Sequence, residues 1–253
     1  MWKINAKKQV EQIGFYPNWF DVWTPTWNAA TSLLKDGKYD MTGPNAVKLM
    51  NWIASYKRYP YAQANAFIKG VTSGNGAADV FTVGKQAFEI SGMWIIPTIQ
   101  QFNPTLKYGV TPLPYPPGGN KDVTWVNGNY NEILAGSKHP KEAFEFIAWL
   151  SGYDNAAWAA RSYPVGGWIP NSPTITDQAA YQKFLNANPL RRPFVNIMLN
   201  PKNGITPVTA AEMLYETTLG NDVTAVLEGK MTPTAALKDA QDKSNQELQM
   251  TGG

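Results

Sequence analysis

Cysteine is absent from this chain of 253 residues, and histidine occurs once, as His139. Without cysteine the chain can form neither a disulfide framework nor a thiolate metal site, and one histidine cannot build a histidine cluster. No metal and no cofactor is therefore predicted. Nucleotide-binding loops are also missing. The run from Gly74 to Asp79 precedes a predicted strand instead of following one, and Gly84-Lys85 lacks the rest of a phosphate-binding loop.

The chain also has little net charge and no long apolar run. It carries 22 basic and 19 acidic residues, a net charge of +3, and no run of Lys or Arg exceeds two residues. Nucleic acid is therefore not an expected partner. No stretch approaches the ~18 consecutive apolar residues of a membrane span, and the residues after Met1 lack the apolar core of a signal peptide. A chain of this length can form one large domain or two smaller lobes.

Aromatic residues, by contrast, are abundant. They make up 13% of the chain, with ten Trp and twelve Tyr, and many stand beside Asn, Gly or Pro. Such a bias favours a ligand with apolar faces and many hydroxyl groups. The segment from Asp79 to Tyr115 is typical: one β-like run begins at Ala87 and ends on Trp94, a second covers residues 106–113, and Gly92 leaves room beside the backbone near Trp94. Trp94 either ends a strand as a stacking surface or is a core residue.

Two further aromatic groups lie among polar residues. Trp19, Phe20, Trp23 and Trp27 have helical spacing, so they would share one helix face. That face would either join the core or form an aromatic platform with polar edges. Residues 122–134 predict a strand that carries Trp125 and breaks at Asn127-Gly128-Asn129, where amides and an indole meet.

Capping residues and apolar stripes predict the helices. One begins at Thr42-Gly43-Pro44, and others are expected over 137–150, 155–161, 181–186, 210–227 and from Thr232-Pro233 onward. Hairpins are expected within 4–16 and around Asp36-Gly37, and 70–76 is expected to be a loop. Strands and helices that alternate along the chain predict a layered α/β architecture.

Four motifs carry a resemblance to a known family. They are Phe81-x-x-Gly84-Lys85-x-Ala87-Phe88 with Ser91-Gly92-x-Trp94, Tyr108-Gly109-Val110-x-Pro112-Leu113-Pro114, Ser137-Lys138-x-x-Lys141-Glu142-Ala143-x-x-Phe146, and Val226-Leu227-x-Gly229-Lys230-x-Thr232-x-x-x-Ala236-Leu237. In this order they resemble the extracellular solute-binding proteins of ABC importers, family 1, the group that contains the maltodextrin-binding protein.

The resemblance implies an α/β, periplasmic-binding-protein-like type II fold with two lobes. Residues 1–128 and 194–253 would form most of the C-terminal lobe, and residues 129–193 a remnant of the N-terminal lobe. Family members are usually longer and begin with a signal peptide, so an N-terminal part is expected to be missing. The incomplete lobe would then expose an apolar surface around Phe144, Phe146 and Trp149, with self-association as a consequence.

The resemblance also implies a function. The protein would bind a mono- or oligosaccharide outside the cytoplasm, in the periplasm or as a cell-surface lipoprotein, and deliver it to the membrane permease of an ABC transporter by cleft closure. It would not be an enzyme, and this chain alone would bind sugar weakly. The implied ligand-binding residues are Trp94, for stacking, with Trp19, Trp23, Trp125, Asn127, Gly128, Glu212 and Tyr215.

Two other functions remain open at this point. A carbohydrate-active enzyme such as a glycoside hydrolase needs two carboxylates that flank the scissile bond. Asp21, Glu89 and Glu132 are available, but no spacing pairs them. The other alternative is a carbohydrate-binding module without a transport role, which would not require a hinge between two lobes.

Overall fold

The computed structural model describes residues 1–29, 33–74, 79–128 and 131–252. The α-helices are α1 (Phe20–Trp23), α2 (Pro44–Ala54), α3 (Tyr61–Gly74), α4 (Ile95–Phe102), α5 (Pro140–Ser151), α6 (Ala156–Gly166), α7 (Pro173–Thr176), α8 (Ala179–Ala187), α9 (Arg192–Met198), α10 (Glu212–Leu227) and α11 (Pro233–Thr251). The strands are β1 (Lys3–Ile4), β2 (Val10–Gln12), β3 (Leu34–Lys35), β4 (Lys38–Tyr39), β5 (Trp125–Val126) and β6 (Gly204–Ile205), and Ser55–Arg58 and Pro189–Arg191 are 3₁₀ helices. Within the described ranges no helix is both long and apolar enough to cross a bilayer.

The chain divides into two compact units. The larger unit comprises Met1–Ile90, Pro112–Val126 and Ile197–Gly253, and the smaller unit comprises Ser91–Thr111 and Asn127–Asn196. The sequence predicts that residues 91–111 belong with residues 1–90. In the structure they belong to the smaller unit, where Trp94 and Pro97 lie against Gly167.

The core of the larger unit forms where α2 packs against α10 and α11. The apolar residues of α2 that recur at helical spacing, Ala46, Leu49, Met50 and Ile53, are fully buried. The principal core residues from these three helices are Ala46, Leu49, Met50, Ile53, Leu219, Val223, Val226, Leu237 and Ala240. Burial of each large aliphatic side chain contributes about 1.5–3 kcal/mol to the stability of the fold.

The hairpin predicted around Asp36-Gly37 is confirmed. Strands β3 and β4 pair antiparallel, and both turn residues have positive φ, +50° at Asp36 and +73° at Gly37, as a tight two-residue hairpin turn requires. The side chain of Asn245 on α11 accepts a hydrogen bond from the Tyr39 amide at 2.8 Å and donates one to the Tyr39 carbonyl at 3.0 Å. This pair of bonds attaches the hairpin edge to the final helix.

The smaller unit has its own core, formed where α6 packs on α7 and α8. Asn155 caps α6 by accepting a hydrogen bond from the Trp158 amide at 3.1 Å, as a good N-cap residue does. The buried residues of this core are Ala159, Ala160, Ile175, Tyr181, Leu185 and Val195. Gly152 ends α5 with φ +80°, and an added Cβ would lie 2.4 Å from that of Ala159, so glycine permits both the turn and the close packing.

Several predicted strands are wrong. The described strands pair only two by two: β1 with β2, β3 with β4, and β5 with β6. Residues 87–92 and 106–113 form no strand, and near the first of them only the single bridge between Ile13 and Gln86 appears. The expected loop at 70–76 is also wrong in its first part, because α3 continues to Gly74. Residues 75–78, and 129–130 in the predicted break, lie outside the described residues.

Candidate functional site

Trp94 lies at the start of a helix and not at the end of a strand. It immediately precedes α4, has helical backbone angles, and its side chain is 45% exposed. The indole folds back over Gly92, where an added Cβ would lie only 2.0 Å from the ring. Glycine is therefore required at position 92 for this placement of the ring.

Trp168 forms an exposed aromatic pair with Trp94. The two ring centroids are 5.9 Å apart and the planes are inclined by 42°, and Trp168 is also 45% exposed. Gly167 has φ +74° and lies so close to Trp94 that an added Cβ would be 2.8 Å from its Cα, while Gly166 lies under the ring of Trp168. Three glycines thus hold two indoles side by side, with enough exposed surface to stack on the flat face of a ligand.

Sequence reasoning missed Trp168. Its only local signal is the Gly-Gly-Trp run within residues 166–168, which reads as an ordinary turn. The contact with Trp94 is a tertiary one, and no spacing along the chain predicts it.

Trp125 is the second fixed aromatic residue, and it belongs to the larger unit. Its indole N–H donates a hydrogen bond to the Thr206 hydroxyl at 2.9 Å. The ring covers Gly204, its parallel strand partner, where an added Cβ would lie 2.4 Å from the indole. Trp125 is partly exposed, so one side of the ring is packed and fixed while some of its surface reaches solvent.

The structure places Trp23 and Tyr215 in the core of the larger unit. Trp23 is 1% exposed and contacts Trp52 edge to face with centroids 4.9 Å apart. Tyr215 is fully buried and stacks on Tyr39 at 4.9 Å. Neither ring offers a face to a solute in this structure. Trp19, at the start of α1, is 50% exposed, so the four aromatics of this segment divide between core and surface.

Tyr215 belongs to a polar network rather than to an exposed site. Its hydroxyl donates a short hydrogen bond to the carboxylate of Asp21. The pKa of Asp21 is raised to about 7. Burial is the main cause, the hydrogen bond from Tyr215 partly offsets it, and the charge of Glu216 makes a smaller upward contribution. Burial also raises the pKa of Tyr215 well above its usual value. Glu212 is half-buried at the start of α10. Burial is the main cause of the raised pKa of Tyr39, and the negative charge of Glu212 adds to it.

The remaining predicted site residues, Asn127 and Gly128, are exposed in the smaller unit. The Asn127 side chain accepts a hydrogen bond from the Gly128 amide at 2.8 Å, so its oxygen is used in the local turn. The hydrogen bond described for this pair is local and does not involve Trp94 or Trp168. In the described ranges, no group of three or more His, Cys, Asp or Glu residues is arranged to hold a metal ion.

Comparison with known proteins identifies the family. The sequence profile of the family described as bacterial extracellular solute-binding protein matches residues 2–157. The chain belongs to this family. The resemblance found in the sequence motifs is therefore confirmed.

Solved structures of sugar-binding proteins are similar to this chain. CpMnBP1 with mannotriose bound is 29% identical, with a TM-score of 0.79 over 96% of this chain and 62% of that chain. The maltose/maltodextrin-binding domain MalE of Bdellovibrio bacteriovorus bound to maltotriose is 19% identical, with a TM-score of 0.68 over 97% of this chain and 62% of that chain. The fold is thus that of the two-lobed sugar-binding proteins, of which this chain spans about three fifths.

A curated relative from Brucella abortus (strain 2308), whose name marks a binding function as provisional, is 25% identical over 222 residues. The match covers 87% of this chain and 50% of the relative. The chain therefore spans about half the length of the curated relatives that it matches. The similar proteins of the family are solute-binding proteins and not enzymes.

Proposed function

We propose that this protein binds a mono- or oligosaccharide outside the cytoplasm, in the periplasm or as a lipoprotein at the cell surface. We further propose that it delivers the sugar to the permease of an ABC importer. One observation supports the proposal. This chain belongs to a solute-binding family and exposes two neighbouring indoles, those of Trp94 and Trp168, in a geometry that glycines permit. The described relatives with bound ligand hold mannotriose and maltotriose.

The physical argument concerns the two faces of a sugar ring. A pyranose presents C–H groups on its faces and hydroxyl groups around its edge. An indole stacks on the apolar face, and the apolar area that this removes from water contributes about 25 cal/mol per Å². Two adjacent indoles, inclined to each other by 42°, form a platform long enough for more than one sugar ring. This favours an oligosaccharide.

Binding measurements on two variants test the site. Trp94→Ala and Trp168→Ala should each weaken the affinity for mannotriose or maltotriose by about ten-fold or more, because each removes one stacking surface. Isothermal titration calorimetry gives the affinities, and circular dichroism checks that the variants remain folded. Tyr153→Ala is the matched control, since Tyr153 is an 83% exposed aromatic residue in the same unit and should leave the affinity unchanged.

Two results would contradict the proposal. If neither tryptophan variant changes the affinity, the indole pair is not the sugar site. If incubation with oligosaccharides yields shorter products, the protein is a carbohydrate-active enzyme instead. Delivery to a permease depends on hinge closure in proteins of this kind. It predicts a sugar-dependent contraction in small-angle X-ray scattering, and an unchanged scattering curve with bound sugar would favour a binding module without a transport role.

A further inference from the structure

A cavity of about 380 Å³ lies in the smaller unit between α4, α6 and α8. Apolar walls come from Pro97, Val165 and Phe184, and two guanidinium groups, those of Arg161 and Arg191, also line it. No Asp or Glu is among the described residues that line it. The cavity thus combines apolar walls with an excess of positive charge.

Arg191 is an unusual residue for such a wall. It is only 3% exposed, and its Nη1 donates a hydrogen bond of 3.3 Å to the Pro164 carbonyl. Its guanidinium carbon lies 5.0 Å from the centre of the Phe184 ring. Its Nε has no hydrogen-bond partner within the described part of the chain, and none of the ion pairs found there includes it.

A buried charge without a counter-charge from the protein is unfavourable, because burial removes much of its hydration. Burial lowers the pKa of Arg191, yet an arginine side chain stays protonated at neutral pH. The neighbouring groups that act on it electrostatically are the phenols of Tyr108 and Tyr181, which are neutral at that pH. An anion in the cavity would supply the missing charge.

The shape of the guanidinium indicates which anion fits. Its planar donors match the two oxygens of a carboxylate, and the apolar walls favour an organic ligand over a bare inorganic ion. Gln100 and Asn188 also line the cavity and add amide groups that can hydrogen-bond to hydroxyls. We propose that this cavity binds the carboxylate of a small organic molecule, with Arg191 as the buried cation and Arg161 as an exposed second cation.

The carboxylate has two candidate sources. One is a uronic acid in an acidic saccharide, because the cavity adjoins the indole pair: Pro97 lines it, and Gly167 lies against both Pro97 and Trp94. This source rests on the proposed sugar-binding function. The other is a simple hydroxy acid such as lactate, which does not depend on that function. The similar proteins described above hold neutral sugars. Recognition of an acidic group on the ligand would therefore distinguish this chain from them.

The test measures binding of galacturonate, digalacturonate, lactate and neutral galactose to the full chain by calorimetry and thermal shift. Digalacturonate should raise the melting temperature more than galactose does at the same concentration. Arg191→Met should weaken digalacturonate binding by about ten-fold or more. Arg161→Met should weaken it less, because Arg161 is exposed and its interaction is screened by water and salt. Arg58→Met, which removes an arginine of the larger unit, is the control that should bind normally.

The ligand-free variants separate a binding role from a structural one. If Arg191 serves to bind an anion, Arg191→Met should melt at or above the wild-type temperature, because it removes an uncompensated buried charge. Arg191→Lys, which keeps the charge but loses the planar donors, should bind the carboxylate more weakly than the wild type does. A lower melting temperature of ligand-free Arg191→Met, together with unchanged carboxylate binding, would show a structural role and overturn the proposal.

The remaining outcomes are also decisive. Absence of binding for all carboxylates would overturn the proposal, whereas binding of lactate as well as digalacturonate would identify a general organic-acid site. Binding of digalacturonate but not lactate would support the acidic saccharide. If the wild type binds carboxylates and no neutral oligosaccharide, and the Trp94→Ala and Trp168→Ala variants bind carboxylates normally, the sugar function fails while the carboxylate site stands.

Discussion

At the scale of single residues, glycines determine where the exposed indoles of the smaller unit lie. Gly92 and Gly166 each leave space that a Cβ would fill, at 2.0 Å from the ring of Trp94 and 2.7 Å from that of Trp168. Substitution by alanine at either position would force the ring to move. A nearby glycine in the sequence therefore leaves the space that each indole occupies. The contact between the two indoles arises only in the folded chain.

Glu89 is a half-buried residue whose carboxyl group is only partly compensated by its surroundings. Its Oε2 has no hydrogen-bond partner among the residues that the structure describes. Burial, with a smaller contribution from the charge of Asp79, raises the pKa of Glu89 from 4.5 to about 8. The folded protein therefore binds this proton more tightly than the unfolded chain does.

This residue predicts a specific pH dependence. The contribution of Glu89 to the free energy of unfolding is most favourable below pH 4.5, where both states are protonated, and it declines as the pH rises toward about 8. Glu89→Gln removes the ionisation. Its stability relative to the wild type should therefore increase between about pH 5 and about pH 9. Urea unfolding at a series of pH values measures the difference.

Asp154→Asn is the matched control, because Asp154 is exposed and the substitution also removes one carboxylate. The stability of Glu89→Gln should therefore increase relative to that of Asp154→Asn over the same pH range. Parallel profiles for Glu89→Gln and the wild type would show that Glu89 ionises normally in the folded protein and would refute the prediction.

At the scale of secondary-structure elements, the sequence predicts α2, α5, α6, α8, α10 and α11, but it misses α3 and α4, and most of its predicted strands do not form. A helix forms its hydrogen bonds within one segment, so a cap and an apolar stripe are sufficient signals, as in α2, α6 and α11. A strand needs a partner. The β-like runs near Ala87 and Leu106 find no continuous neighbour in the described residues, and so their pattern does not become a sheet.

The same distinction applies to the candidate site. Trp94 could be singled out because Gly92 stands two residues before it. Trp23 and Tyr215 have the residue types of a sugar site, but the same types form the core, and the sequence does not distinguish these uses. Trp168 could not be found because its relation to Trp94 depends on how α4 and α6 pack.

The cap of α11 makes a quantitative prediction at this scale. The Thr232 hydroxyl accepts a hydrogen bond from the Ala235 amide at 3.3 Å, and α11 supplies buried residues to the core of the larger unit. Thr232→Ala should lower the free energy of unfolding by about 0.5–2 kcal/mol, because one amide of the first turn loses its partner. Circular dichroism during urea unfolding measures the change.

Thr217→Ala provides the comparison, since Thr217 is exposed within α10. Alanine has the higher helix propensity, so this substitution should raise the stability by a few tenths of a kcal/mol. Equal effects of the two substitutions would mean that the Thr232 hydroxyl has no capping role.

At the scale of the whole molecule, each unit has its own core, but α5 leaves apolar surface exposed. Phe144 and Phe146 are 61% and 60% exposed, and Trp149 is 39% exposed. Trp149 also packs against Trp158, with ring centroids 4.0 Å apart and planes inclined by 34°, so its position on α5 is fixed. Exposed aromatic side chains grouped on one helix are typical of an interaction surface.

We propose that this surface of α5 associates with a second copy of the chain. The net charge of only +3 gives little repulsion between copies, and burial of one exposed phenylalanine contributes about 1.5–3 kcal/mol. The apparent mass in sedimentation velocity should therefore rise with protein concentration. The double variant Phe144→Ser, Phe146→Ser should remain monomeric at concentrations where the wild type associates.

Phe88→Ser is the control for nonspecific hydrophobic association, because Phe88 is 63% exposed but belongs to the larger unit. This variant should associate as the wild type does, since the apolar surface of α5 is intact. Binding of a hydrophobic dye should fall in the α5 double variant and not in Phe88→Ser. The proposal would be contradicted if the wild-type protein stayed monomeric and bound no dye at any concentration tested. The exposed side chains of α5 would then bind neither a second copy nor a small apolar molecule.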